Sequence, residues 1–149
     1  IIDQIIHLNP PFGTLHIERK CTNPMSTCPF CHPQLDPSQR IVAENETCYF
    51  LMHDREQDVL VGSGVIVPKQ HRATTFDLTP FEWHDTYTLL HEAKVFLEET
   101  YGPDGYTLGW NVGTASNQTV PHVHLHVIPR YTAGPHAGKG LRHWLKRPE

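Results

Sequence analysis

The sequence contains no apolar run near the roughly 20 residues that a membrane-crossing helix requires, so no membrane partner is expected. Its first residues, Ile1-Ile2-Asp3-Gln4-Ile5-Ile6, hold no basic group and no long apolar stretch, and do not read as a secretory signal. Cysteine is sparse: four residues, Cys21, Cys28, Cys31 and Cys48, too few among 149 for a disulfide scaffold. A reducing, cytoplasmic setting is the expectation. Positive charge is also short, with 12 Lys and Arg against 16 Asp and Glu, a formal net charge of −4. That balance argues against extended nucleic-acid binding through a basic face. The common catalytic signatures HExxH, GxSxG, Walker A and GxGxxG are missing, and the glycine-rich 134–140 stretch lacks the phosphate-loop spacing.

What remains is a chain of globular composition, 38% hydrophobic and 19% charged, long enough for a single domain over 1–149. Residues 1–40 are irregular, punctuated by Pro10, Pro11, Pro24, Pro29, Pro33 and Pro37, with a short strand expected over Thr14–Glu18. Strands are expected over 48–52, 59–67, 106–112 and 120–130, with a turn at 53–58. Gly62-Ser63-Gly64 interrupts the second of these and marks a bulge or a close backbone approach. One long helix starts at the Thr79-Pro80-Phe81-Glu82 capping box and stops at Gly102-Pro103, with Trp83, Tyr87, Leu90, Phe96 and Leu97 at helical spacing. The fold class is α+β with a mainly antiparallel sheet. The C-terminal stretch from about 132 is basic at its end: Lys139, Arg142, Lys146 and Arg147 stand against one acid. It reads either as a solvated end or as a basic arm near a phosphate site.

Histidine is abundant, at 12 residues. Three alternate in His122-Val123-His124-Leu125-His126-Val127. On a strand, residues i, i+2 and i+4 share a face, so Val123, Leu125 and Val127 point to the core and the imidazoles line the other side over about 13 Å. Structural histidines, a metal site and nucleophilic or acid–base chemistry are the competing readings. Neighbours about 7 Å apart on one strand rarely close on a single ion. Neutral imidazole is a nucleophile and titrates near working pH. The preceding loop, 113–120, offers flexible N–H groups and Ser, Asn, Gln and Thr donors suited to phosphate oxygens. Cys28-Pro29-Phe30-Cys31 has the spacing of a zinc half-site and of a redox motif. His32-Pro33 directly after it disfavours the helix that a redox pair needs. A free thiol pair is the remaining alternative. His84 and His91, seven apart on the helix, read as solvated, and Cys48 reads as core.

Asn111-Val112-Gly113, Gln118-Thr119-Val120-Pro121 and His122-Val123-His124-Leu125-His126-Val127-Ile128 together resemble the signature of the histidine triad (HIT) family. Val65-Ile66-Val67-Pro68-Lys69-Gln70-His71 resembles the family's upstream strand and turn, so the likeness spans about residues 28–132. It implies a HIT-like fold that dimerises to join two sheets, binds nucleoside phosphates and cleaves at the α-phosphate. By that resemblance His124 is the nucleophile, which forms a nucleotidyl-histidine intermediate, and His126 contacts phosphate oxygen and handles the proton. Asn111, Gln118 and Thr119 match positions that hold phosphate and ribose, and Asp54 is the candidate ribose-binding acid. Its zinc-binding branch, which resembles diadenosine polyphosphate hydrolases, implies a structural zinc on Cys28, Cys31, His71 and His122. The sequence departs from the family where it has Ser63 in place of an upstream histidine, and Asn117 in place of a loop glycine. The alternatives to a hydrolase are a nucleotide-binding regulatory module with little turnover and a zinc-dependent interaction domain.

Overall fold

The computed structural model describes residues 28–143. The strand expected over Thr14–Glu18, together with Cys21, Lys146 and Arg147, lies outside the described residues. Five strands form one antiparallel sheet: β1 (Gln39–Glu44), β2 (Cys48–His53), β3 (Gly64–Pro68), β4 (Gly105–Trp110) and β5 (Leu125–Arg130). Their spatial order is β1-β2-β3-β5-β4, so β1 and β4 are the edges. A one-turn helix, α1 (Asp54–Gln57), follows β2, and the long helix α2 (Pro80–Tyr101) precedes β4. The α+β class with one long helix and short helical turns is therefore as expected.

The helix α2 begins where the capping box requires. Thr79 Oγ1 accepts from Glu82 N at 3.2 Å, and a Glu82 carboxylate oxygen accepts from Thr79 N at 2.8 Å. Gly102 ends it in the left-handed region (φ +56°), its N–H donating to Glu98 O. The buried stripe of α2 differs from the expected one. It is Glu82, Asp85, Thr86, Leu89, Ala93 and Leu97, while Trp83 and Tyr87 face outward. The first turns meet the sheet through polar pairs: Asp85 accepts from Thr47 N and Oγ1 at 3.0 and 2.6 Å. Deeper in, Leu89, Ala93 and Leu97 pack on Cys48, Phe50, Met52, Ile66, Leu125 and Val127. Each fully buried leucine contributes about 2 kcal/mol.

Three strand expectations change at their ends. Residues 59–62 form a turn rather than strand, because Ser63 N donates to Leu60 O and Gly62 takes φ +79°. Gly64 opens β3 where a Cβ would stand 2.6 Å from both Leu51 O and Phe50 Cε2, which is the close approach the sequence indicated. β5 starts only at Leu125. Upstream of it, Val123 N donates to Arg72 O at 2.7 Å, in the β3–α2 connection, and residues 120–124 do not extend the sheet. β4 ends at Trp110, and the expected turn after β2 is the helical turn α1. The strand β1 was not anticipated.

Candidate active site and metal site

The sheet face opposite α2 carries the candidate site residues. A second cluster of buried residues, Cys28, Phe30, Leu51 and Val67, covers part of it, with Cys31, Tyr49, Val65 and Val120 against them. The 28–31 turn thus sits directly on β2 and β3. His32 N donates to Cys28 O at 3.2 Å and fixes that turn.

Cys28, Cys31, His71 and His122 converge here, with one donor atom from each lying within 4.8 Å of all the others. His122 Nδ1 is 3.4 Å from Cys28 Sγ and 3.5 Å from Cys31 Sγ, and His71 Nδ1 is 3.3 Å from Cys31 Sγ. His122 Nε2 lies 2.9 Å from Pro68 O, so it carries the proton and leaves the Nδ1 lone pair aimed at the sulfurs. Burial lowers the imidazole of His122 to about 4. Burial, with the hydrogen bond and charge of Cys28, pushes the Cys31 thiol up to about 11. Two thiols and two imidazoles in this closed arrangement fit a tetrahedral metal ion, which would deprotonate the thiols. The four residues that the family resemblance implies as a metal site are therefore together in space.

His124 and His126 turn the other way, into an open cleft of about 300 Å³. Pro29, Phe30, Leu51, Val65, Thr119 and Val120 give its apolar and loop walls, and Asp36, Gln39, His53 and Glu56 its polar end. His124 is 6% exposed, and its Nδ1 lies 2.8 Å from the carbonyl of His122. That contact places the proton on Nδ1 and leaves Nε2 with its lone pair free. Phe30 packs edge-on against His124 with ring centroids 5.2 Å apart, and His126 does so at 4.7 Å. His126 Nε2 is buried with no hydrogen-bond partner among the described residues. Burial, then the neighbouring His124, lowers the His126 pKa, so its ring is neutral at pH 7. The alternation of the sequence thus brings His124 and His126 to one cleft without forming one regular strand. Only His126 lies within β5, and His122 and His124 precede it in an irregular segment.

Of the expected phosphate and ribose contacts, Thr119 lines the cleft. Gln118 braces the loop instead. Its Oε1 accepts from Gly113 N at 2.8 Å, and its Nε2 donates to Ala73 O at 2.7 Å and Val120 O at 3.1 Å. Asn117 adopts φ +62°, the left-handed geometry that asparagine tolerates in a glycine's place. Asn111 follows β4 and is not among the residues lining the cleft. Asp54 is likewise outside it, paired with Arg40 at 3.1 Å. The acids that do line it are Asp36 and Glu56, which sequence reasoning missed. Asp36 Oδ2 sits 3.3 Å from His53 Nε2, and its carboxyl is held low by the Ser38 N–H and then by His53. Ser63 is buried and donates to Glu56 at 3.3 Å, so this departure from the family pattern supports a cleft residue.

Residues 35–133 match the HIT domain. The chain belongs to the HIT domain family. Over 75 residues this HIT protein is 33% identical to a bis(5'-nucleosyl)-tetraphosphatase (asymmetrical) of Schizosaccharomyces pombe, covering 50% of the chain and 41% of that relative. The chain spans less than half the length of the first curated relatives it matches. Its fold superposes on a HIT family protein of Bacillus anthracis with a TM-score of 0.65 and 31% identity, over 76% of this chain and 79% of that one. It also superposes on a zinc-bound histidine triad family protein of Mycobacterium smegmatis with a TM-score of 0.63 and 24% identity, over 78% and 84%. That second likeness speaks for the fold.

Proposed function

We propose that this HIT protein is a nucleotide hydrolase that cleaves at the α-phosphate of dinucleoside polyphosphates or related nucleotide conjugates. The observation that carries this reading is the pair of imidazoles in the cleft. His124 is fixed by its own backbone with Nε2 free, and His126 Nε2 is buried beside it without a partner. In the proposed reaction His124 Nε2 attacks the α-phosphorus and the bond to the leaving oxygen breaks. His126, through Nε2–H, donates a hydrogen bond to that oxygen, which leaves with the bonding electron pair as a phosphate anion. Water then attacks the nucleotidyl-histidine, releasing a nucleoside monophosphate and restoring His124. Positioning and stabilisation of developing charge do most of the work in such chemistry. Thr119 adds a contact for a phosphate oxygen, and the Gln118-braced loop holds Thr119 and Val120 in place. Asp36 and Glu56, with Gln39 and His53, are suited to sugar hydroxyls, which carboxylates accept from.

Cys28, Cys31, His71 and His122 are proposed to hold a structural zinc. Those four side chains fix the 28–31 turn against the segment that carries His124. Ligand thiolates of this kind suit a reducing, cytoplasmic environment. A homodimer is proposed through the outer edge of β4, which among the described residues pairs only with β5, and the outward side of α2; Trp83 and Tyr87 on α2 and Leu108 on β4 are exposed. The regulatory-module alternative predicts nucleotide binding without turnover. Incubation with bis(5'-adenosyl) tetraphosphate and chromatography of the products separates the two. AMP release by the wild type and its loss in His124→Ala support the hydrolase; tight binding with no release by the wild type overturns it.

A further inference from the structure

Beyond β5 the chain folds back onto the face that carries His126. Arg130 ends β5 four residues after His126, on the same side, about 13 Å further along the strand. Its Nη2 donates to the carbonyls of His136 and Lys139, which anchors the loop that follows. Turns at 131–134, 134–137, 136–139 and 140–143 are each closed by a backbone bond. The loop then crosses β4: a Cβ built on Gly109 would lie 3.8 Å from both δ-carbons of Leu141. Gly109 is the cross-strand partner of His126, and directly opposed residues project to the same face. Leu141 therefore holds the loop over the sheet face on which the candidate chemistry takes place.

This loop is cationic. From 131 to 143 it contains Lys139 and Arg142 and no acid. The acid at its root, Asp104, already accepts from Thr132 N and Oγ1 at 2.8 and 2.9 Å. Among the described residues neither Lys139 nor Arg142 has an acidic partner, and Lys139 Nζ reaches only Pro135 O, at 3.4 Å. Leu60, Arg130, His136, Lys139, Gly140 and His143 surround a hollow of about 380 Å³. Leu60 N bonds to Glu56 O at 2.7 Å, so one turn forms a wall of both this hollow and the histidine cleft. The face is thus polarised. Asp36 and Glu56 lie at its β1–β2 end and repel phosphate, whereas the cations lie beyond β5 and attract it.

We propose that the 136–143 loop is a polyphosphate subsite, in which Lys139 and Arg142 bind the phosphates beyond the one at His124 and the acidic end takes the nucleoside. The proposal rests on the nucleotide reading above and adds the substrate's orientation and a preference for long phosphate chains. Arg130 is a positioning residue, since its Nη2 holds the loop. Titration calorimetry with inorganic tripolyphosphate tests the subsite without any turnover. Lys139→Ala/Arg142→Ala is expected to weaken binding at least tenfold, and Lys69→Ala, which removes a cation paired with Glu44 elsewhere, by less than twofold. A wild type that does not bind tripolyphosphate, or a double variant that binds it as well as the wild type, overturns the proposal. In turnover, the double variant should lower kcat/KM for bis(5'-adenosyl) tetraphosphate at least tenfold more than for adenosine phosphoramidate, which has no distal phosphate. An equal fall on both substrates overturns the subsite. If the wild type cleaves neither substrate, the hydrolase reading fails, and the tripolyphosphate titration still decides the subsite.

Discussion

Glu82→Ala should unfold more of this protein's organisation than its place on a helix suggests. The Glu82 side chain is 5% exposed and accepts from Thr79 N at 2.8 Å and from Arg72 Nε at 3.0 and 3.1 Å. Arg72 in turn accepts Val123 N–H at 2.7 Å through its carbonyl, between His122 and His124. Removing the carboxylate deletes half of the capping box, worth about 1 kcal/mol. It also deletes a charged hydrogen bond worth about 1.5–3 kcal/mol. Arg72 is 31% exposed and regains water, which keeps the second figure near its lower end. The expected loss is about 2–3 kcal/mol, a fall in Tm of roughly 4–12 °C for a chain of this size. Burial alone would raise the Glu82 carboxyl, but the hydrogen bonds from Thr79 and Arg72 outweigh it and hold the group below its ordinary 4.5. Its contribution is therefore complete above that value and disappears as pH falls through the lower folded pKa. Urea unfolding of wild type and variant at pH 7 and again near pH 3 measures this. A loss below about 0.5 kcal/mol at pH 7, the range of ordinary surface changes, would refute the reasoning.

Other consequences follow from the same geometry. Cys31→Ser should reduce bound zinc from about one per chain to a small fraction, read by metal analysis after gel filtration, with an accompanying loss of stability. In chelator-treated protein, folded His122 stays neutral down to about 4 while the unfolded chain binds a proton below its ordinary 6.5. Stability of that form should thus fall with pH between 6.5 and 4, by on the order of 3 kcal/mol. A flat denaturant midpoint across that window would contradict the burial of the ring. Gly64→Ala drives a Cβ to 2.6 Å from Leu51 O and Phe50 Cε2 and should cost about 3 kcal/mol or more, visible as a lowered urea midpoint or insoluble product. The dimer proposed through β4 should appear in sedimentation velocity at twice the chain mass, and charged residues at both Trp83 and Leu108 should return it to the monomer.

Much of the site was legible because it is written in local spacing. The Cys28–Cys31 turn, the alternation from His122 to His126 and the Thr79 capping box each declare themselves within a few residues. Asn117 also declared its backbone, since few other residues replace glycine at φ +62°. What the sequence hid depends on contacts between distant segments. Val120–Arg130 reads as one strand because its residue pattern suits a sheet. The bond from Val123 N to Arg72 O, between residues 51 apart, removes its first half from that sheet. Trp83 and Tyr87 have helical spacing, yet the polar pairs made by Glu82 and Asp85 set which side of α2 faces inward. Asp36 and Glu56 flank β1 and β2 without any motif, and only the pairing of those strands brings them to the cleft.

In the proposed reaction His124 becomes covalently nucleotidylated. Bis(5'-adenosyl) tetraphosphate labelled at its α-phosphates is mixed with the protein and quenched within milliseconds, with peptide mapping of the retained label. Acid-labile label on the peptide containing His124, formed and lost as AMP appears and missing in His124→Ala, is the predicted result. AMP released at full rate with no protein-bound label, or with undiminished rate in His124→Ala, would contradict the account.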